Sequence, residues 1–166
     1  MASAGLAELL IDDVTWAAGS PERRAEWRVA IDEILQEGRF DFEGEIADAR
    51  ALITVEPSQV LFEVLLTGGR QLGGTEISLE IIRPYMTDYL DICLEMNRLS
   101  VGSNSPRLEA LDIAKRIVHD DAGETVRSIL RAPRPDHATA RRIFTLLVTL
   151  LYDTSRLAAR PHLQPH

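Results

Sequence analysis

A single cysteine, Cys93, stands in a chain of 166 residues, so no internal disulfide can form. A chain of this length buries enough surface to fold without staples, which become necessary mainly below about 40 residues. A lone thiol also fits a reducing compartment, and a cytoplasmic protein is the expectation. Long hydrophobic runs are missing too. The most apolar segment, Ile143 to Tyr152, is too short for a bilayer, which takes roughly 20 residues. The opening Met1-Ala2-Ser3-Ala4-Gly5-Leu6-Ala7-Glu8 has neither the basic region nor the apolar stretch of a signal peptide. No membrane partner is therefore expected. Lysine is nearly absent, Lys115 standing against 17 arginines. The glycine-rich stretch Gly68-Gly69-Arg70-Gln71-Leu72-Gly73-Gly74 thus lacks the lysine of a Walker phosphate loop, and no helix start follows it directly. It reads as a connection between two strands.

The chain is acidic, with a net charge of −8. Residues 1–100 carry 19 acidic and 8 basic side chains, whereas residues 101–166 carry 7 and 10. Phosphate neutralisation supplies most nucleic-acid affinity, so a nucleic-acid partner is not expected of an acidic protein. The basic last third reads first as a solvated helix surface, with a local site for an anion or acidic partner as the sharper alternative.

Periodicity predicts an α+β domain over residues 1–160, followed by a disordered tail at 161–166. Leu6 to Asp12 is apolar enough for a first strand. Ser20-Pro21-Glu22 starts a helix with a serine cap, a first-turn proline and an acid near the positive end. That helix spans Pro21–Glu37 on the stripe Trp27, Ile31, Ile34 and Leu35, and Gly38 ends it. Phe40 to Asp48 is acidic and irregular, a surface loop. Alternation then marks strands at Ala49–Glu56 and Gln59–Thr67, joined by a turn at Pro57-Ser58, with one more strand at Thr75–Leu79.

From Ile82 the spacing turns helical, through Met86, Tyr89, Cys93 and Met96, with Pro84 expected in the first turn. Ser105-Pro106 starts the next helix. Asp121 and Glu124 have capping-box spacing, so a break is expected near Asp120, with one continuous helix as the alternative. The last helix is apolar on nearly every side and must be buried all round. The expected architecture is a small antiparallel sheet of three to four strands against an N-terminal helix and a C-terminal helical bundle.

Catalytic vocabulary is thin. No serine sits in a nucleophile elbow, and Cys93 lies inside an apolar stripe, the setting of a core thiol. The four histidines lack the three or four rigid ligands of a zinc site, so neither a metal nor another cofactor is expected. His119-Asp120-Asp121 is the one compact acid/base group, and helix capping accounts for it more simply. Arg141-Arg142 at the start of the buried helix reads as pairing with carboxylates, or as part of an anion pocket.

Several runs together resemble one bacterial family. They are Trp27-Arg28-Val29-Ala30-Ile31, Ser78-Leu79 through Asp88-Tyr89 to Ile92-Cys93, and Ser105-Pro106 through Glu109-Ala110-Leu111-Asp112. His119 and Thr139-Ala140-Arg141-Arg142-Ile143-Phe144-Thr145-Leu146 complete the set. In order and spacing the chain resembles a divergent member of uncharacterised protein family 262, from about Leu6 to Tyr152. It departs at Glu80-Ile81, where Thr-Pro is expected, and after Tyr152-Asp153, where an aromatic stop is expected. The resemblance implies a small single-domain bacterial protein and brings no activity or cofactor with it.

Two functional expectations follow. The first is a cytoplasmic protein-interaction or regulatory module, possessing a protein partner or self-associating, with Arg127, Arg131 and Arg134 as its exposed basic surface. The second is a protein or enzyme that binds an anionic small molecule through His119, Arg141, Arg142 and Tyr89. It requires those four side chains to meet in one cleft.

Overall fold

A computed structural model describes residues 2–42, 48–66, 71–99 and 105–158. Among these described residues, two sheets and six helices make an α+β fold. The larger sheet orders β2 (Glu8–Ile11), β4 (Ala49–Val55), β5 (Gln59–Leu66) and β6 (Gln71–Ser78) side by side. The smaller sheet brings together β1 (Ala2–Ala4), β3 (Phe40–Phe42) and β7 (Arg134–Pro135). The helices are α1 (Asp13–Ala18), α2 (Pro21–Glu37), α3 (Leu79–Leu99), α4 (Ser105–Ile129), α5 (His137–Leu151) and α6 (Ser155–Ala158).

Alternation along β4 and β5 turns Ala51, Ile53, Phe62 and Val64 inward, with Ile53 opposite Phe62 and Ala51 opposite Val64. These residues meet Trp27, Ile34, Met86, Ile143, Phe144 and Leu147 of the helices in one core. Each fully buried large apolar side chain contributes about 1.5–3 kcal/mol. β4, β5 and β6 are antiparallel as the hairpin spacing implies, but β2 joins β4 in parallel, so the sheet is mixed. Parallel neighbours need a crossover of a dozen or more residues, and α1, α2 and β3 supply it.

Helix α2 occupies the predicted Pro21–Glu37, with the Ser20 hydroxyl accepting from the Arg23 amide at 3.1 Å. Helix α5 is buried along most of its apolar side chains, but not all round as expected: Arg141, Arg142, Thr145 and Thr149 form a half-buried face. Asp136 caps it by accepting from the Thr139 amide at 2.8 Å. The buried Thr139 hydroxyl is satisfied by the Arg39 amide at 2.7 Å. At the far end, the Trp27 indole donates to the Thr149 carbonyl at 2.9 Å, and Arg23 donates to the Thr149 and Leu150 carbonyls. Carbonyls of the last turn, which have no partner inside a helix, are thus held by α2.

Four further expectations need correction. Phe40–Phe42 is a strand rather than loop, and Phe40 and Phe42 are fully buried with the half-buried Asp41 between them. Its three residues are too few for alternation to rise above acidic flanks; residues 43–47 of the expected loop lie outside the described residues. Gly73 and Gly74 belong to β6 instead of the connection, while residues 67–70 lie outside the described ones. A Cβ at Gly73 would come within 2.4 Å of the Ala132 carbonyl oxygen, a close backbone approach that needs glycine.

Pro84 is the sixth residue of α3, beyond the first turn, because β6 runs straight into the helix at Leu79. The hydrogen bond it forfeits would have gone to Glu80, which is exposed to water. Finally, α4 continues through Asp120 as a single 25-residue helix. Asp121 caps nothing, and His119 lies mid-helix. The predicted tail at 161–166 lies outside the described residues.

Candidate functional site

The contact of α4 with α5 builds the site. Gly123, buried in the middle of α4, lets α5 come close: a Cβ there would stand 2.7 Å from Arg141 Cγ and 3.4 Å from the Arg141 nitrogen. One turn earlier, His119 reaches across the same contact. Its Nε2–H faces the Thr145 hydroxyl at 2.9 Å and the Arg141 carbonyl at 3.1 Å. Its Nδ1 accepts from Arg141 Nη2 at 3.3 Å. A guanidinium can only donate, so this arrangement places the ring proton on Nε2 and uses up the lone pair on Nδ1.

Burial first, then the positive charges of Arg141 and Lys115, lower the His119 pKa from 6.5 to about 4. The imidazole is neutral and clasped. The guanidinium that holds it is itself set by Asp120, whose Oδ1 lies 3.2 Å from Arg141 Nε. His137 stands alongside, with Nδ1 2.9 Å from Glu124. Among the described residues, no three His, Cys, Asp or Glu side chains are grouped to hold a metal ion.

Helix α3 closes the other wall with Tyr89. Its ring lies 5.6 Å from His119 and meets Phe144 edge-on at 5.8 Å. Lys115, one turn before His119, places its ammonium 5.7 Å from the centre of the Tyr89 ring. Burial pushes the Tyr89 phenol well above its ordinary value. Burial raises the Cys93 thiol too. It is a core thiol.

Between these walls opens a cleft of about 390 Å³, onto which Tyr89, Lys115, His119, Arg141, Arg142 and Thr145 converge. The four residues singled out from the sequence as an anion pocket are therefore neighbours. Lys115 and Arg142 carry no ion pair among the described residues. A second cavity of about 510 Å³ adjoins it between α2, α3 and α5, with walls that include Val29, Leu90, Cys93, Val148 and Leu157. The two share Ala30, Glu33, Tyr89 and Thr145.

The basic residues proposed for a partner surface lie elsewhere. Arg127 donates to the Pro135 carbonyl and Arg131 to the Ser128 carbonyl, both at 3.3 Å, and Arg134 is exposed in β7. Sequence reasoning passed over Lys115 and Thr145. Each was visible as a helical neighbour, since Lys115 precedes His119 by four residues and Thr145 follows Arg141 by four.

Among the described residues, no helix is long and apolar enough to cross a membrane. No solved structure matches the fold. A UPF0262 protein of Rhodospirillum rubrum is 30% identical over 147 residues, covering 87% of this chain and 91% of its own. A UPF0262 protein of Maricaulis maris is 31% identical over 142 residues, covering 84% and 89%. One from Rhizobium johnstonii is 29% identical over 149 residues, covering 89% and 94%. The model of the uncharacterised protein family UPF0262 matches residues 3–153, and with nearly the whole length aligned, the chain belongs to that family.

Proposed function

We propose that this protein binds a small anionic molecule in the cleft between α3, α4 and α5. The observation that carries the reading is the convergence of Tyr89, His119, Arg141 and Arg142, drawn from three helices, on one concavity beside Lys115. Lys115 and Arg142 are its charge partners. Arg141 is already engaged with Asp120 and His119, and it holds the wall in place. A general base needs a free lone pair and a pKa near the working pH. His119 has neither, so the reading is binding rather than acid–base catalysis, with His119 as a positioning residue.

The test is titration of the ¹⁵N-labelled protein with inorganic phosphate, followed by NMR. Saturable shifts are expected at Lys115, His119 and Arg142. The paired substitutions Lys115→Ala and Arg142→Ala should weaken binding about tenfold or more, as loss of charge-assisted contacts implies. A linear, non-saturating response would overturn the reading.

A second reading has its own support. Ile113 and Ile117, one turn apart on the outer face of α4, are 55% and 56% exposed. An apolar pair on a helix suits a cytoplasmic interaction or regulatory module that self-associates or meets a protein partner, with Arg127, Arg131 and Arg134 further along the same chain segment. Light scattering of wild type and Ile117→Asp tests it. A dimer lost in the variant supports self-association, and a wild-type monomer at high concentration excludes it.

A further inference from the structure

Apolar and basic concavities occur separately on many surfaces; here they are neighbours with lining residues in common. The cavity walled by Val29, Leu90, Val148 and Leu157 adjoins the basic cleft, with Tyr89 and Thr145 lining both. A ligand held by Lys115 and Arg142 thus has an apolar chamber within reach, larger than the cleft itself. Water in such a chamber is readily displaced by a hydrocarbon chain. We infer that the ligand is a single-chain amphipathic anion: a compact oxyanion head between Lys115 and Arg142, and an unbranched apolar chain in the chamber. This rests on the anion-binding reading above.

The chamber also carries Glu26 and Glu33, which need an account. Glu26 is half-buried, accepts from the Thr154 hydroxyl at 2.7 Å through Oε2, and leaves Oε1 buried with no hydrogen-bond partner among the described residues. Arg23 on its own helix and Asp153 after α5 are the charged groups that act on it. Glu33 sits at the mouth shared with the cleft, where Lys115, Arg116, Arg141 and Arg142 outnumber it and Asp112. The acids lie along the chain's path and the cations at its end, so the charge pattern orients an anion head outward toward α4.

Calorimetry on the full chain with acetate, butanoate, hexanoate and octanoate reads the inference directly. Octyl phosphate, octanol and octylamine are the controls. Affinity for the carboxylates should rise about fourfold per added methylene, as expected for a CH₂ removed from water. Octanol should bind at least about tenfold more weakly than octanoate, the loss of one charge-assisted contact. Octyl phosphate against octanoate tells a phosphate head from a carboxylate head.

Val29 lies at the chamber and is 53% exposed, so Val29→Glu should leave the fold intact. It should abolish the chain-length dependence and spare inorganic phosphate binding. Phosphate binding without any chain-length dependence sinks this inference and leaves the anion reading standing. Neither phosphate nor any carboxylate binding sinks both. Octylamine binding more tightly than octanoate would mean that Glu26 and Glu33, not the arginines, select the ligand, and would overturn the assignment.

Discussion

His119 shows how one side chain can tie two helices and carry a pH signature. Its folded pKa of about 4 lies below the ordinary 6.5, because burial and the neighbouring Arg141 and Lys115 disfavour the imidazolium. The unfolded chain therefore binds the proton more tightly. Stability from this group is complete above pH 6.5 and is lost as pH falls toward 4, by about 3 kcal/mol at most. Urea unfolding across that window should show a steeper acid loss for wild type than for His119→Gln. Parallel curves would show that the clasp does not form. Glu26 has the opposite sign: burial raises its pKa, so its ionised form costs stability as pH rises past that value. Glu26→Gln keeps an acceptor for Thr154, and at pH 7 it should leave the urea midpoint unchanged or raise it. It should also tighten octanoate binding. A lower urea midpoint with weaker octanoate binding would assign the carboxylate a structural or ligand-holding role instead.

At the scale of elements, Gly123 decides the geometry of the site. Alanine in a helix interior is ordinarily favoured over glycine by about 1 kcal/mol. Here the added methyl would meet Arg141 Cγ at 2.7 Å, and overpacking costs about 1–3 kcal/mol. Gly123→Ala should therefore lose stability in urea and shift the amide resonances of Arg141 and Arg142; a gain in midpoint would mean that α5 sits farther away than described. The same stretch explains a misreading. Asp121 and Glu124 have the spacing of a capping box, and only packing reveals that α4 runs through them, continuous as the alternative reading had it. Pro84 misleads in the same way, since a strand feeding directly into α3 leaves no cap to mark its start. Phe40-Asp41-Phe42 is too short to announce itself, and its partners β1 and β7 are remote in sequence. By contrast Pro21–Glu37, β4 and β5 were legible because cap, stripe and alternation agree locally. The site was half legible: Arg141-Arg142 and His119 stand out as residue types, but their meeting is a product of the α4–α5 contact. The adjoining chamber left no local trace, because Val29, Leu90, Val148 and Leu157 come together only once the helices are placed.

On the scale of the whole molecule, a basic cleft sits within a chain of net charge −8. Local cations attract an anion at contact range while the distant acidic surface repels it, and salt screens the distant interaction more strongly, with a Debye length of about 8 Å at physiological ionic strength. The two effects oppose each other. Octanoate affinity should therefore change less than about threefold between 10 and 150 mM salt. A steep fall would mean that the cations act without opposition from the rest of the surface. The methylene increment should be the same at both salts, because chain burial does not depend on charge.

The bond from the Trp27 indole to the Thr149 carbonyl has an optical consequence. Trp27 and Trp16 are the two tryptophans of the chain, with ring centres 5.8 Å apart and planes tilted by 49°. Chromophores that close and that oblique share their excitation, so circular dichroism should carry an exciton couplet that Trp16→Phe abolishes. Thr149 also lines the apolar chamber. A ligand filling the chamber would lie against the residue whose carbonyl holds Trp27, so the couplet is expected to change on binding and to report occupancy in unlabelled protein, even for a ligand that has no colour of its own.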